Sequence, residues 1–429
     1  MRRIIALLCV NLIVLCSCVS LRDSDASPEN LYNAESVRIT EKKLLDSLEY
    51  GAFTPSHPVE SSEYRASDEN MKKTEITDVY IGVDIDFAAF GDNLIHPNIY
   101  LEAKMRGNSE KEYDFLPIYS DVSDIIKNAD ISFINQETVM AGEEYGYSGY
   151  PCFNSPRHLG LDLCSLGVDI INIANNHMLD KGTAGLASTM EFWNEQDVLT
   201  VGAYENAEDA SIIRIVSRDG IDIAVLSYTY GTNGIVKDPS SPIVIPYIDD
   251  ALILSDLEKA ETEADFIIVS IHWGIENTYT PTDEQRRLAA LMADNGADVI
   301  IGHHSHSLQP IEWIDREDGG KTLCIYSLGN CISGMARPMN QVGGIFSFRI
   351  TSDGAGGLCA ADVLLTPTVF YYGMDYYGTH LYLLKDYTDD IAVTHGVGIE
   401  GYRLSRADAE EIVRGVIDEE FIPDYLKKQ

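Results

Sequence analysis

From about Tyr80 onward, short apolar runs alternate with helical stretches, and run after run ends in a polar residue able to hold a metal ion. This alternation restricts the fold more than any other feature of the chain. The runs predicted as strands are Ile81–Phe90, Ile131–Asn135, Asp169–Ala174, Ile212–Val216, Ile221–Ser227, Phe266–Ile271, Val299–Ile301, Thr322–Tyr326 and Gly344–Ile350. Helical patterns fall between them at Tyr113–Asn128, Arg157–Leu166, Thr183–Glu195, Ala251–Glu263 and Asp283–Asn295. In the last of these, Leu288, Leu291 and Met292 recur at helical spacing. Strands that read as continuous apolar runs are buried on both faces, so the pattern predicts an α/β fold. No internal repeat and no low-complexity tract is visible.

Ligand sites in α/β sheets lie beyond the carboxyl ends of the strands, and the metal-competent residues fall there. Phe87-Ala-Ala-Phe-Gly-Asp92 closes the first run. Alone, Asp92 reads as a helix N-cap and His96 as a surface histidine. Ile131-Ser-Phe-Ile-Asn-Gln-Glu137 closes the second, and extended geometry would send Asn135 and Glu137 to the same side. The third ends Ala-Asn175-Asn176-His177, followed by Asp180. An asparagine cap beside a hydrogen-bonded histidine is the plain alternative there. Amide oxygens and neutral imidazoles also suit divalent metals. His272 ends the fourth run, with Glu276 placed to orient an imidazole. Gly302-His-His-Ser-His306 ends the fifth, and His303, His304 and His306 within four residues are hard to explain by packing. The set of carboxylate, amide and imidazole without thiolate predicts one or two ions of the Mn, Zn or Fe type.

Charge narrows the partners. The 429-residue chain has 68 acidic and 31 basic residues, a formal net charge of −37. Such a surface repels nucleic acid and anionic headgroups. A polyanionic ligand would need a local cation, which a metal could supply.

The N-terminus reads as an export signal. Arg2 and Arg3 precede the apolar run Ile4–Leu15, too short for a convincing span. Leu15-Cys-Ser-Cys18 resembles the bacterial lipobox, in which the last cysteine takes the lipid. The expectation is a signal over 1–17, lipid on Cys18, a tether over 18–78 and a protein held on the outer face of the cell membrane. A partial apolar face allows a short helix over Ser36–Leu48; the rest of the tether is too polar to bury. Of the eight cysteines, Cys152, Cys164, Cys324, Cys331 and Cys359 lie beyond this segment. None forms a CxxC pair, and buried free thiols are expected.

Taken in order, Gly-Asp92, Asn135-Gln-Glu137, Asn175-Asn-His177-Met-Leu-Asp180, His272-Trp-Gly-Ile-Glu276, Gly302-His-His-Ser-His306 and Tyr326-Ser-Leu-Gly-Asn330 resemble the CapA family. These are poly-γ-glutamate capsule biosynthesis proteins, related to calcineurin-like metallophosphoesterases. Tyr150-Pro-Cys-Phe-Asn-Ser-Pro156 resembles the segment the family carries before its Asn-Asn-His motif. The resemblance spans roughly 80–370 and implies a four-layer αββα sandwich in a domain over 79–375, with 376–429 as an extension packed on it, helical over Ala407–Ile417. It implies that Asp92, Glu137, Asn176, His272 and His306 hold metal, with His304 or His303 opening the His-x-His pair. It further implies that His177 donates a proton to a leaving group, with Asp180, Glu276 and Asn330 orienting. Asn135, Asn175 and His303 fall beside these ligands.

Two departures from metallophosphoesterases are shared with CapA: Gly-Asp-Asn replaces Asp-x-His, and Glu137 replaces a bridging Asp. Cys331 stands where the family usually has Phe. The function implied is a metal-dependent hydrolase or transferase acting on an anionic capsule or envelope polymer, alongside other capsule synthesis proteins. The alternatives are a non-enzymatic assembly or attachment factor and an extracellular nucleotidase or phosphatase.

Overall fold

Residues 82–428 are described by the computed structural model. The export signal, Cys18, the tether and the Ser36–Leu48 helix lie outside the described residues. In chain order the strands are β1 (Asp84–Leu94), β2 (Ile131–Gln136), β3 (Ile170–Asn172), β4 (Leu199–Val201), β5 (Ile215–Arg218), β6 (Ile221–Thr229), β7 (Phe266–His272), β8 (Val299–His303), β9 (Ile311–Asp315), β10 (Lys321–Ile325), β11 (Asn330–Ser333), β12 (Val342–Ser352), β13 (Leu358–Tyr371) and β14 (His380–Leu383). The longer helices are α1 (Pro97–Arg106), α2 (Ser123–Asn128), α3 (His158–Leu166), α4 (Gly182–Asn194), α5 (Asp250–Glu263), α6 (Asp283–Ala293) and α7 (Arg406–Val416).

Two sheets form. One has eight strands, ordered β14-β13-β12-β1-β2-β3-β4 with β11 also paired to β1; the other has six, ordered β5-β6-β7-β8-β10-β9. The central strands β1 to β4 run parallel, as do β6, β7, β8 and β10. Phe87, Ala89, Phe133 and Ile170 of the first sheet share one buried core with Ile223, Val225, Ile268 and Ile301 of the second. The alternate residues of the second sheet, Leu226, Val269 and Ile300, turn outward onto Leu257 of α5 and Leu288 and Met292 of α6. The central strands therefore bury both faces, which is why they read as unbroken apolar runs.

The helices start where chemistry lets them. Thr282 and Gln285 close a reciprocal capping box at α6, and Asp249 accepts from Leu252 N at 3.0 Å to cap α5. The long helix expected over Tyr113–Asn128 does not form. Pro117 lies in a 3-10 turn, Leu116–Tyr119, and only α2 follows.

Without any sequence repeat, both sheets use one device. Asp130, Asp169, Asp265 and Asp298 each stand one residue before a parallel strand. Each carboxylate accepts the backbone N–H of the preceding strand, at 2.9, 2.8, 2.9 and 2.8 Å, from Asp86, Ser132, Asp222 and Ile267. The register of successive strands is thus pinned at their amino ends.

After β13 the chain adds β14 to the sheet. α7 follows, capped by Ser405, and its Val413 joins the intersheet core together with Ile417, Phe421 and Leu426. The five cysteines are free; Cys324 and Cys331 are buried, whereas Cys152, Cys164 and Cys359 are half-buried, so the expectation of buried thiols holds for two. Among the described residues, no helix is long and apolar enough to cross a membrane.

Candidate metal centre

Strand register lays out the centre. Asp92 pairs with Asn330 of β11 on one side and Asn135 of β2 on the other, and Asn135 pairs with Asn172 of β3. One row of four polar residues therefore crosses the first sheet. In the second sheet, Thr229, His272 and His303 form the matching row. All seven are buried.

A β-bulge aims Asp92. Phe90 pairs with Ile134 and Asp92 with Asn135, so β1 spends an extra residue at Gly91. A side chain there is excluded, because a Cβ on Gly91 would lie 2.1 Å from Gly329 O. The first-sheet row is then tied together. Ser227 Oγ donates to Asn172 Oδ1 at 2.5 Å, Asn172 Nδ2 to Asn135 Oδ1 at 2.9 Å, and Asn135 Nδ2 to Asp92 Oδ1 at 2.7 Å. Asp92 Oδ2 accepts from His304 N at 3.2 Å and lies 3.1 Å from His306 Nδ1.

Glu137 stands one residue past β2. It is fully buried, and neither carboxylate oxygen has a hydrogen-bond partner. Its Oε1 lies 3.5 Å from His272 Nε2 and 3.7 Å from His306 Nε2. His272 Nε2 is also 2.9 Å from Asn176 Oδ1. Donors bound about 2.1 Å from one ion stand roughly 3 to 3.5 Å apart, and these separations fall in or near that range. Donor atoms of Glu137, His272 and His304 lie within 4.8 Å of one another, and so do those of Asp92, Glu137 and His306. Glu137 belongs to both sets. Glu276, exposed at the rim, forms a third with His304 and His306.

The electrostatics suit a cation. Burial pushes the His272 imidazole well down, helped by His304, and takes His304 down to about 3. Both are neutral and able to donate a lone pair. Burial and the charge of Asp92 push the Glu137 carboxyl well up. Burial opposes charge on His306, but Glu137 and Asp92 outweigh it and raise the imidazole to about 10. Burial alone would raise Asp92, yet the neighbouring His303 and His306 hold it well below the carboxylate range. A buried carboxylate without a partner costs several kcal/mol unless it takes a proton or a cation. The residues present therefore fit a divalent ion.

The remaining expected residues divide by role. His177 Nδ1 is 2.8 Å from Asp180 Oδ2, which also accepts from Phe153 N at 2.6 Å. Burial raises the Asp180 carboxyl, against the pull of His177. Asn175 accepts from His177 N at 3.1 Å and donates to Gln136 O at 3.0 Å, fixing the loop. Asn330 Oδ1 is 3.0 Å from His306 Nδ1 and orients it. His303 stacks on Phe133 at 5.8 Å and reaches only Asp92, at 3.5 Å, so His304 rather than His303 joins the ligand sets. His304 and His306 have positive φ, 90° and 52°, in the sharp loop that turns both rings toward Glu137.

Two sequence expectations fail here. Asp92 caps no helix: it sits inside β1. His96 is buried rather than on the surface; its Nδ1 is 3.0 Å from Gly334 N, and burial lowers its imidazole to about 4. Two residues were missed, Tyr230 and Asn233, in the loop after β6. The Tyr230 ring lies 4.5 Å from that of His304 and stacks on His272 at 6.2 Å. Burial raises its phenol to about 12, with Glu276 and Glu137 adding to the rise and the neighbouring Asn176 opposing it. Asn233 contacts both Asn176 and His177. The sequence signal was Tyr230-Gly-Thr-Asn-Gly234 directly after a buried strand.

The family profile described as bacterial capsule synthesis protein PGA_cap matches residues 86–335, more than half of the chain. The chain belongs to this family. Within the match lie Asp92, Glu137, Asn176, His177, His272, His304, His306 and Asn330. The chain is 32% identical over 196 residues to the PGA biosynthesis protein CapA of Bacillus subtilis, covering 45% of this chain and 50% of that one. It is 34% identical over 171 residues to the capsule biosynthesis protein CapA of Bacillus anthracis, covering 39% and 40%. It thus spans about half the length of the Bacillus relatives it matches. A probable polyglutamine synthesis accessory protein of Mycobacterium tuberculosis is 24% identical over 295 residues, covering 62% and 74%. Among solved structures, a 5'-nucleotidase precursor from Thermus thermophilus aligns at TM-score 0.41 and 14% identity, over 77% of this chain and 58% of that one. The likeness is one of mixed α/β architecture only.

Proposed function

We propose that this member of the capsule synthesis family is a metal-dependent hydrolase or transferase acting on an anionic capsule or envelope polymer, with poly-γ-glutamate as the family-implied candidate. The observation that carries the reading is Glu137: a buried, unpartnered carboxylate shared by two sets of potential ligands. Asp92, Glu137 and His306 would hold one ion, and Glu137, Asn176, His272 and His304 a second, of Mn, Zn or Fe type. Bound there, the metal supplies Lewis acidity and the positive charge an acidic chain otherwise lacks.

The chain's own residues do the rest. With Nδ1 held by Asp180, His177 keeps Nε2 as the nitrogen that passes a proton to a departing oxygen or amine. The row from Ser227 to Asp92 keeps the first-sheet ligands from reorienting. The reading takes the two sheets with helical coats as the four-layer αββα sandwich. It also takes Cys18 as the lipid attachment, 18–78 as the tether and 376–429 as an extension of the main domain. Such a protein would work at the outer face of the membrane, among other capsule synthesis proteins.

The test is turnover by the purified protein loaded with Mn²⁺ or Zn²⁺, on phosphoesters and on γ-glutamyl polymer. Activity is expected on one of these, and His272→Ala should abolish it. Full metal loading with no turnover on any substrate would favour an assembly factor instead. Selective release of phosphate from nucleotides would point to a nucleotidase.

A further inference from the structure

An asparagine can hold a metal only through its side-chain oxygen, because the amide nitrogen is a donor with no lone pair to give. An asparagine ligand therefore needs something to fix which way its amide faces. Asn176 presents Oδ1 to His272 Nε2 at 2.9 Å, toward the carboxylate of Glu137. Its Nδ2 points the other way and donates to Asn233 Oδ1 at 3.2 Å. Tyr230, three residues before Asn233, stacks on His272 with ring centroids 6.2 Å apart.

Asn233 is itself held in place. It adopts φ 51°, a left-handed conformation that asparagine tolerates better than most residues. The turn around it is closed by Thr232, whose Oγ1 donates to Ile235 O at 2.8 Å and whose carbonyl accepts from Ile235 N at 2.9 Å. Asn233 Nδ2 lies 3.4 Å from His177 Nδ1. One side chain from the second sheet thus touches two adjacent residues supplied by the first.

We infer that Asn233 is a positioning residue that locks the Asn176 amide with its oxygen facing the metal centre. Turned over, Asn176 would present N–H groups to a cation. The inference rests on the metal-centre reading above and extends it to a loop outside the ligand series.

The experiment is calorimetric titration of the full chain, stripped of metal, with Mn²⁺ alone. Asn233→Gly keeps the left-handed backbone and removes the side chain; affinity is expected to fall about 10- to 100-fold, as for other residues that orient a ligand. Asn233→Asp keeps the acceptor and should bind within about threefold of wild type. In an Asn176→Asp background there is no amide to orient, so adding Asn233→Gly should change little. A merely structural role would give the same loss in both backgrounds, and that result overturns the inference, as does unchanged affinity in Asn233→Gly. If Asn233→Gly does not fold, Asn233→Asp still decides: a fall beyond tenfold overturns the inference. A flat wild-type titration with both Mn²⁺ and Zn²⁺ overturns the metal reading itself.

Discussion

The two sheets meet at the centre with opposite chemistry. The first contributes carboxylates and amides: Asp92, Asn135, Glu137, Asn172 and Asn176. The second contributes imidazoles: His272 and, after β8, His304 and His306. Most of the first-sheet groups satisfy one another along the row from Ser227 to Asp92. By contrast, His272 Nδ1 and His304 Nδ1 have no partner. Hydrogen-bonded amides cost little to bury and stay rigid. Burial makes His272 and His304 neutral, leaving lone pairs available. On the proposed metal reading, one half is built before any ion arrives, and the other would be completed by it. Glu137 breaks the pattern, as a first-sheet residue left unpaired.

The largest expected effect tests that exception. Glu137→Gln should lower metal affinity more than the roughly 100-fold typical of an orienting residue. In chelator, its stability should be no lower than wild type, because burial and the charge of Asp92 already penalise the charged carboxyl. A large loss of apoprotein stability would show that Glu137 belongs to the prebuilt half after all.

Next comes His177→Ala, expected to reduce turnover about 10²- to 10⁴-fold while bound metal stays at the wild-type level. Elemental analysis alongside kinetics separates the two. Metal lost in step with activity would make His177 a ligand rather than a proton donor.

Breaking the first-sheet row should cost stability even without metal. Asn172→Leu strands Asn135 Oδ1 and Ser227 Oγ, and a loss of about 3 kcal/mol is expected in denaturant titrations with chelator present. His272→Ala, on the imidazole side, should cost less in the same buffer. Equal losses would erase the contrast between the halves.

The smallest effect concerns the amino ends of the strands. Burial pushes the Asp298 carboxyl up to about 6, against its bonds from Ile267 N and Arg316. The folded state thus holds a proton where the unfolded chain has released it. That contribution is present below the ordinary value of 3.8 and is lost as pH rises through about 6. Relative to Asp298→Asn, wild type should lose up to about 2 kcal/mol between about pH 4 and pH 7. Parallel stability curves for the two proteins would refute this.

The central strands and their polar ends were legible because burial on both faces writes itself as an apolar run. Several outer strands were not. β13 is 14 residues long, yet its first half is largely half-buried, and Asp362 and Pro367 interrupt it. β11 is four residues that exist because Asn330 pairs with Asp92, a contact far along the chain. α1 escaped notice because it starts with Pro97 at its first turn and carries no strong apolar stripe. His96 looked like a surface residue because nothing local says that Gly334 will close over it.

By itself, the sequence determined the α/β class, the strand ends and the ligand chemistry, since these depend on residue type and local periodicity. Only the tertiary structure decided that His304 rather than His303 comes within reach of Glu137 and His272, that Glu137 lies between two sets of potential ligands, and that Asn233 faces Asn176. Those outcomes depend on a bulge at Gly91, on positive φ in the histidine loop and on the register of strands from two sheets. Such features are long-range geometry, and no local pattern encodes them.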